Sequence, residues 1–215
     1  MSIYSEKAKG RSLSDVVFQK LRNDIVNGLY PKGYKLNEIK IAKEMDISRT
    51  PVREALKQLE LEGLIDSIPN RGAVVVGISD QDVKDLCAMR QSIEDVAIRF
   101  AIDRMSSDDV EKLEDIYDLM AFYTKKADVD KVFDLNTSFH ETIYQTLNSP
   151  QLESILKHFQ DLLRISRYQS LNREGRIQAT LDEHGRILDA IKSRNAELAA
   201  TEVTNHHSKL EYIFK

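Results

Sequence analysis

The chain has 215 residues, enough for one large domain or two modest ones, and its 41% hydrophobic and 31% charged residues are typical of a globular protein. No apolar run approaches the roughly 20 residues of a membrane span, the polar N-terminus lacks a secretion signal, and the single Cys87 excludes an internal disulfide, so we expect a cytoplasmic protein with no membrane partner. The net charge of −4 is uneven: residues 1–78 carry 13 Lys and Arg against 10 Asp and Glu, and the remainder is acidic, so only the N-terminal part is expected to meet a polyanion.

The N-terminal part begins with helices and ends with strands. Apolar residues at helical spacing predict helices over residues 12–27, 37–45 and 48–62. Two short β-rich runs follow at residues 64–68 and 73–77, joined by the turn sequence PNRG. The first 78 residues are therefore predicted to form three helices and a β-hairpin.

The third helix is predicted to be amphipathic, with apolar residues on one side and mainly basic residues on the other. The inward residues of the third helix are expected to be Val52, Ala55, Leu56 and Leu59. Those of the second helix are expected to be Ile39, Ile41 and Ala42. Thr50, with Pro51 after it, is a suitable N-cap for the third helix, and Ser48 is nearly as suitable.

A short helix, a turn and then a helix with a basic face have the spacing of a helix-turn-helix, and the hairpin lies where a wing belongs. In such a fold the third helix enters the major groove of DNA, where Arg49 or Arg53 would pair with guanine and Thr50 with a base or a phosphate. Arg71 at the hairpin tip would enter the adjacent minor groove or contact its phosphates. The alternative is a basic face that is only solvated.

The string SRTPVREAL, followed downstream by GLI and NRGAVV, resembles the winged helix-turn-helix of GntR-family bacterial transcription regulators. The resemblance implies contacts to double-stranded operator DNA from Arg49, Thr50, Arg53, Asn70, Arg71 and Gly72. We add Ser48, at the start of the same helix, to these candidates. Some relatives carry a further base-contacting arginine where this chain has Ile39, so that contact is expected to be absent.

From Ser79 onward only helical spacing is found, interrupted by turn sequences such as SSDD, NSP and SRN. Six helices are predicted, at about residues 80–105, 106–125, 129–147, 151–169, 177–193 and from 195 onward. The predicted fold class is therefore mainly α. A flexible arm at residues 1–11 precedes a winged helix-turn-helix at residues 12–78, and an all-α antiparallel six-helix bundle follows at residues 79–215.

All five histidines lie in this helical part, and His184 and His206 are expected to converge; His140 and His158, nine residues either side of Ser149, are open to the same argument. Asn136 and His140 are four residues apart on one helix face, and His184 and His206 lie 11 residues either side of Asn195 in a tight turn. Equal distances from the turn of a helical hairpin place two residues at the same level, so both rings would face one place. Such a set suits Zn²⁺ or Ni²⁺. Matching levels also arise by chance, which leaves a purely structural role open.

The segments FDLNTSFHETIYQTLNSPQL and DEHGRILDAIKSRNAELAATEVTNHH resemble the helical ligand-binding (FCD) domain of the FadR subfamily, in its six-helix VanR-type form. The resemblance implies metal ligands at Asn136, His140, His184 and His206, and it leaves His158 and His207 outside the set. Asn136 stands where the family usually has aspartate. An amide oxygen can bind a metal but brings no charge, so weaker metal binding, or a water in its place, is expected.

The resemblance also implies a pocket for an effector. Arg90 matches a pocket arginine that meets the carboxylate of a ligand, and Arg164 is expected to line the same cavity. The alternative for Arg90 is an ion pair with Glu94, one helical turn further on.

Together these features predict a ligand-responsive, homodimeric transcription repressor that binds a palindromic operator and a small anionic effector, an organic acid held on a metal. A constitutive DNA-binding dimer without metal or effector stays open because of Asn136. A metalloenzyme with an accessory DNA-binding domain is a further alternative. The sequence contains no H-E-x-x-H motif and no nucleophile elbow, so we do not expect an enzyme.

Overall fold

The computed structural model of the chain describes residues 12–68 and 72–208, so the arm predicted at residues 1–11 lies outside the described residues. The described residues contain ten helices and three short strands. They divide into two compact units, with the boundary between Ser79 and Asp80. The mainly α fold class predicted from the sequence is confirmed.

The first unit combines three helices with a small sheet. Its elements are α1 (Leu13–Val26), β1 (Lys35–Leu36), α2 (Glu38–Glu44), α3 (Arg49–Leu61), β2 (Ile65–Ile68) and β3 (Gly72–Val75). The side chains of Ser12 and Asn37 accept hydrogen bonds from the first backbone N–H groups of α1 and α2, respectively. These caps explain why both helices begin where the sequence predicts.

The sheet is antiparallel in the order β1-β3-β2, so β1 adds a strand to the predicted hairpin. Leu36 of β1 lies opposite Ala73, and Ile65 of β2 lies opposite Val75. A strand of two residues is too short to show an alternation of polar and apolar residues, so the sequence gives no sign of it.

The apolar face of α3 forms the centre of this unit. Its buried residues include the four predicted from the helical wheel: Val52, Ala55, Leu56 and Leu59. They pack against α1, which buries Val17 and Leu21. Burial of these side chains fixes the orientation of α3, and its opposite face is therefore directed to solvent.

One of the inward residues predicted for α2 is wrong. Ile41 and Ala42 are buried, but Ile39 is 60% exposed. Two residues along an α-helix correspond to a rotation of about 200°, so a residue two positions before Ile41 points to the other side of the helix. Ile39 therefore belongs to the surface of the unit.

The second unit contains seven helices in the described residues instead of the predicted six. They are α4 (Asp80–Arg104), α5 (Ser107–Lys125), α6 (Val129–Gln145), α7 (Pro150–Leu162), α8 (Arg164–Leu171), α9 (Arg176–Lys192) and α10 (Ala196–Ser208). The predicted fourth helix is divided at the fully buried Leu163, after which α8 begins. Neither Gly nor Pro occurs there, so helical spacing gives no sign of the division.

Two apolar clusters hold the helices of this unit together. The larger joins α4, α5, α6, α9 and α10, and small residues such as Ala101 and Ala200 let α4 and α10 approach closely. The smaller surrounds Phe133 and includes Leu171 of α8. The unit also buries a group of polar side chains, which forms its candidate site.

Candidate DNA interface and candidate metal centre

The basic face of α3 is exposed. Arg49, Thr50 and Arg53 all lie in solvent, opposite the apolar residues that α3 buries. Ser48 occupies the N-cap position, which decides between the two predicted caps, but its side chain makes no capping hydrogen bond. This face therefore offers two guanidinium groups and two hydroxyl groups to an outside partner.

Both arginines bind a carboxylate that the sequence did not single out. Arg49 donates from Nε to Glu38 at 2.9 Å, and Arg53 donates to the same carboxylate from Nη2 and Nε at 2.9 and 3.3 Å. Burial raises the pKa of Glu38, but the bonds from Arg53 and Arg49 outweigh this effect and keep the pKa below its usual value. Glu38 is therefore an anion that faces the basic side of α3.

The candidate wing residues are only partly described. Asn70 and Arg71 lie outside the described residues, and Gly72 begins β3. Gly72 has a φ of +86°, and a Cβ atom built there would lie 2.9 Å from the carbonyl oxygen of Leu36. The glycine is thus required by the backbone of the sheet, whatever its role toward DNA.

In the second unit α6, α9 and α10 bring three histidines together. The ring centroids of His140 and His184 are 5.3 Å apart, those of His140 and His206 also 5.3 Å, and those of His184 and His206 4.7 Å. One ligand nitrogen from each ring lies within 4.8 Å of the others, and all three side chains are buried. The convergence predicted from equal distances to the turn at Asn195 is confirmed.

Two of these rings are fixed through Nδ1. His184 Nδ1 lies 2.8 Å from the carbonyl oxygen of Thr180, and His206 Nδ1 lies 2.7 Å from Glu183 Oε2. Both partners are acceptors, so Nδ1 carries the proton and Nε2 keeps its lone pair. Within the described residues, Nε2 of His184 and both ring nitrogens of His140 have no hydrogen-bond partner although they are buried.

Burial also keeps these imidazoles neutral. It lowers the pKa of His140 and that of His206 to about 3, and the pKa of His184 falls well below its usual value for the same reason. Neutral imidazole is the form that binds a metal ion.

Asn136 lies one turn before His140 on α6. Its side chain is buried, and its Oδ1 atom has no hydrogen-bond partner among the described residues. A buried oxygen and buried ring nitrogens without partners are costly unless another group binds them. The four predicted ligands therefore fit a divalent transition metal by their chemistry, and three of them, Asn136, His140 and His184, do so also by buried atoms without partners in the described part of the chain.

A small cavity of about 20 Å³ adjoins these residues. Its lining is mostly polar and consists of Arg90, Asn136, Arg167, Ser170, Leu171, Arg176, Thr180 and His206. Three arginines therefore face one space that Asn136 and His206 share.

Two of the three arginines already have a carboxylate partner. Arg90 donates from Nε to Glu94 at 2.6 Å, and Arg176 makes two hydrogen bonds with Glu183 at 2.6 and 2.8 Å. The two predictions for Arg90 are thus compatible, because it pairs with Glu94 and also lines the cavity.

Arg167, the third arginine, makes hydrogen bonds only with uncharged groups in the part of the chain that the structure describes. It is buried, it donates to Thr137 Oγ1 at 3.0 Å and to the carbonyl oxygen of Gln160 at 3.5 Å, and its guanidinium lies 5.2 Å from the centre of the Phe133 ring. No carboxylate pairs with it among the described residues. Burial, followed by repulsion from Arg90, lowers the pKa of Arg167.

Arg164, which was expected to line the cavity, does not do so. It is exposed, and its guanidinium lies 5.0 Å from the centre of the Phe133 ring. The interruption at Leu163 changes the phase of the helix that follows, so Arg167 is buried in place of Arg164.

Sequence reasoning also left out His207, which lies beside the histidine cluster. Its Nε2 atom is 2.7 Å from Glu94 Oε2, and its ring centroid is 5.0 Å from that of His206. Glu94, His140 and His207 form a second group close enough to hold an ion. Arg90 already binds that glutamate, so the three-histidine group is the better metal site. His158, by contrast, is exposed.

The sequence contains a sign of one missed residue but not of the others. Glu183 lies on the apolar face of its helix, four residues before Ile187, and a carboxylate at a core position indicates a buried partner. Arg167 and Arg176 stand in the polar stretch SRYQSLNREGR, where nothing distinguishes a buried arginine from an exposed one.

Two families match the chain. Residues 13–75 match the bacterial regulatory proteins of the gntR family, and residues 85–209, more than half of the chain, match the FCD domain.

Individual proteins match over most of their length. The uncharacterized HTH-type transcriptional regulator YdhC of Bacillus subtilis is 28% identical over 88% of this chain and 85% of its own. The gluconate operon transcriptional repressor of Bacillus subtilis is 30% identical over 85% of this chain and 76% of its own. Among solved structures, E. coli McbR/YncC has a TM-score of 0.77 at 19% identity, over 95% of this chain and 97% of its own, which is a likeness of fold.

No helix in the described residues is both long enough and apolar enough to span a membrane.

Proposed function

The chain belongs to the GntR family of bacterial transcription regulators, with an FCD domain after its DNA-binding part, and on this basis we propose that it is a ligand-responsive, homodimeric repressor. The matched families and relatives are transcription regulators and not enzymes, which removes the metalloenzyme alternative. The relatives named as repressors include that of the gluconate operon of Bacillus subtilis and RspR of Escherichia coli, which supports the sign of regulation.

DNA binding is assigned to residues 12–78. The exposed Arg49 and Arg53 would contact guanines in the major groove, and the hydroxyls of Ser48 and Thr50 would contact a base or a phosphate. The wing tip, with Asn70, Arg71 and Gly72, would follow into the adjacent minor groove.

Dimerisation is assigned to residues 79–215, because two-fold helix-turn-helix proteins bind palindromic sites. Met89, Val96 and Phe100 lie at i, i+7 and i+11 on α4, a spacing that places them on one helix face. All three are exposed, at 54, 46 and 43%. An exposed apolar stripe supports an interface with a second copy.

Metal binding is assigned to His140, His184, His206 and Asn136, with Zn²⁺ or Ni²⁺ as the ion. The support is the set of buried ring nitrogens and the amide oxygen that lack partners. Such an ion would add positive charge beside the cavity. Glu183 and the carbonyl group of Thr180 would keep two of the imidazoles in the orientation that binding needs.

The effector is proposed to be a small organic acid bound at this cavity, which at about 20 Å³ holds about one water molecule and would have to widen to admit the acid. The observation that carries this proposal is the buried Arg167, a cation that has no carboxylate partner among the described residues and that faces the same space as Asn136 and His206. Arg90 and Arg176 would add weaker attraction, since their charges are compensated by Glu94 and Glu183. Gluconate, named in a relative, makes sugar acids the first class to test.

The experiment combines DNA binding with ligand binding. The full chain is used to select duplexes from fragmented genomic DNA and from its own promoter region, and the selected sites are measured by gel shift. Purification without a His-tag, elemental analysis and thermal shifts against sugar acids, hydroxy acids and amino acids follow.

Selective binding that one acid weakens supports the proposal. Selective binding with no metal and no response to any acid favours the constitutive dimer, for which the neutral Asn136 is the argument. A chain that selects no site contradicts the DNA-binding assignment itself.

A further inference from the structure

Glu38 of α2 binds both arginines on the basic face of α3. Glu38 is the first residue of α2 and follows its N-cap, Asn37. Its side chain is 19% exposed, whereas those of Arg49 and Arg53 are 56 and 57% exposed. A half-buried carboxylate thus anchors two long, exposed side chains from another helix.

The hydrogen-bonding atoms divide the two arginines into different roles. Arg49 uses only Nε toward Glu38, so both of its Nη groups make no hydrogen bond within the described residues. A terminal pair of Nη groups is the fork that binds O6 and N7 of guanine. Arg53 uses Nε and Nη2, which leaves Nη1 as its fully available group.

The net charge of this face also favours a base contact over a phosphate contact. Two guanidinium groups and one carboxylate leave a net charge of +1 where the arginines alone would have +2. A phosphate that approaches at random must compete with Glu38 for the arginines and is repelled by its charge. A guanine edge carries no net charge and can bind the free fork of Arg49 while the carboxylate stays in place.

We infer that Glu38 is a positioning residue for sequence recognition: it orients Arg49 for a base contact and reduces binding to DNA of other sequences. The inference rests on the proposed function, because it takes Arg49 and Arg53 as DNA contacts. Preorganisation acts by lowering the entropy lost when a long side chain is fixed on binding.

A favourable helix residue without a role in recognition is the competing explanation, since an acidic side chain stabilises the first turn of any helix. The two explanations differ in what a substitution changes. Loss of a helix-stabilising charge lowers thermal stability and affects all DNA sequences alike. Loss of a positioning contact changes the preference between sequences.

The test compares Glu38→Gln with Glu44→Gln in the full chain. Glu44 lies on the same helix, pairs only weakly with Lys40 at 3.7 Å and does not touch the arginines, so it controls for the change in charge. Affinities are measured by fluorescence anisotropy for a site selected by the wild-type chain and for a scrambled duplex, at several salt concentrations. Circular dichroism and thermal melting check that the variants are folded.

Glu38→Gln is expected to lower the ratio of the affinity for the selected site to that for the scrambled duplex by about tenfold. Binding to the selected site weakens because Arg49 loses its orientation, and binding to the scrambled duplex tightens because a negative charge is lost. Glu44→Gln is expected to change both affinities by a similar factor and to leave the ratio within about twofold. When single G·C pairs of the selected site are replaced by A·T, the affinity of Glu38→Gln is expected to fall by a smaller factor than that of the wild type.

An equal ratio in both variants overturns the inference and leaves the proposed function intact. A wild-type chain that selects no site overturns the proposed function, and the inference with it.

Discussion

Single residues decide what the cavity of the helical unit can bind. Arg167 is buried beside Asn136 and the histidine cluster, and it has hydrogen bonds to a hydroxyl and a carbonyl group but no carboxylate partner among the described residues. A buried charge without a counter-ion is costly to the fold, by several kcal/mol in typical cases. A bound anion would act as the counter-ion and remove this cost.

Replacement of Arg167 by Met is therefore expected to raise the stability of the ligand-free protein and to abolish its response to carboxylic acids. The free energy of unfolding should increase by about 1 kcal/mol or more, because an uncompensated charge is removed. Chemical denaturation and thermal shifts with the active acid measure the two effects.

Arg164→Met is the matched control for this substitution. Arg164 contacts the same Phe133 ring but is exposed, so the variant should keep the response to the acid. An Arg167→Met protein that still responds to the acid contradicts the effector assignment.

Asn136→Asp is expected to strengthen metal binding. It puts a charged oxygen in place of a neutral one among three buried imidazoles, and affinity for Zn²⁺ or Ni²⁺ should rise by about tenfold or more. Titration of metal-free protein against a competing chelator measures this. Asn205→Asp adds the same charge at an exposed position of α10, and it should leave the affinity nearly unchanged. Equal effects of the two substitutions would show that Asn136 is not a ligand.

At the scale of elements, the three-stranded sheet fixes where the wing begins. β1 pairs with β3 across Leu36 and Ala73, and the backbone passes so close at Gly72 that no Cβ atom fits there. The wing is therefore attached to the chain before α2 as well as to the strand after α3.

Gly72→Ala is expected to destabilise the first unit more than Gly33→Ala does. Both glycines have a φ of +86°, but a Cβ atom at Gly72 meets Leu36 at 2.9 Å, whereas Gly33 has open space around it. The strain of the φ angle alone costs about 1 kcal/mol, and the clash at Gly72 should add about 1–3 kcal/mol. Urea denaturation followed by circular dichroism compares the two variants. Equal losses in both would mean that the sheet relaxes freely at this point.

At the scale of the whole molecule, the two units divide recognition from sensing in the proposed function. Residues 1–78 carry a small positive charge and the remainder a negative one, which agrees with the proposal that only residues 12–78 bind DNA. A regulator of this kind must couple a ligand in one unit to DNA on the other.

Coupling of this kind is reciprocal. If the active acid weakens operator affinity by some factor, the operator must weaken affinity for the acid by the same factor, because both describe one free-energy cycle. Calorimetric titration of the acid with and without a saturating operator duplex, next to anisotropy of the duplex with and without the acid, measures both factors. The metal is kept constant throughout. An operator that leaves affinity for the acid unchanged contradicts the ligand-responsive assignment and favours a constitutive dimer.

The sequence by itself determined the fold class, the order of the helices apart from the division at Leu163, and the faces of α3, because each depends on local spacing and caps. Val52 and Leu59 are buried and Arg49 is exposed as the helical wheel requires. The convergence of His184 and His206 also followed from the sequence, since equal distances from one turn fix their level in a helical hairpin.

Only the tertiary structure decided which charges meet. Three contacts join residues from different helices: those of Glu38 with two arginines of α3, of the buried Arg167 with Thr137, and of His207 with Glu94. Spacing along one helix specifies a face but not the phase of the next helix after an interruption such as Leu163. The network of charges around the cavity therefore depends on packing between helices, which no local pattern in the sequence records.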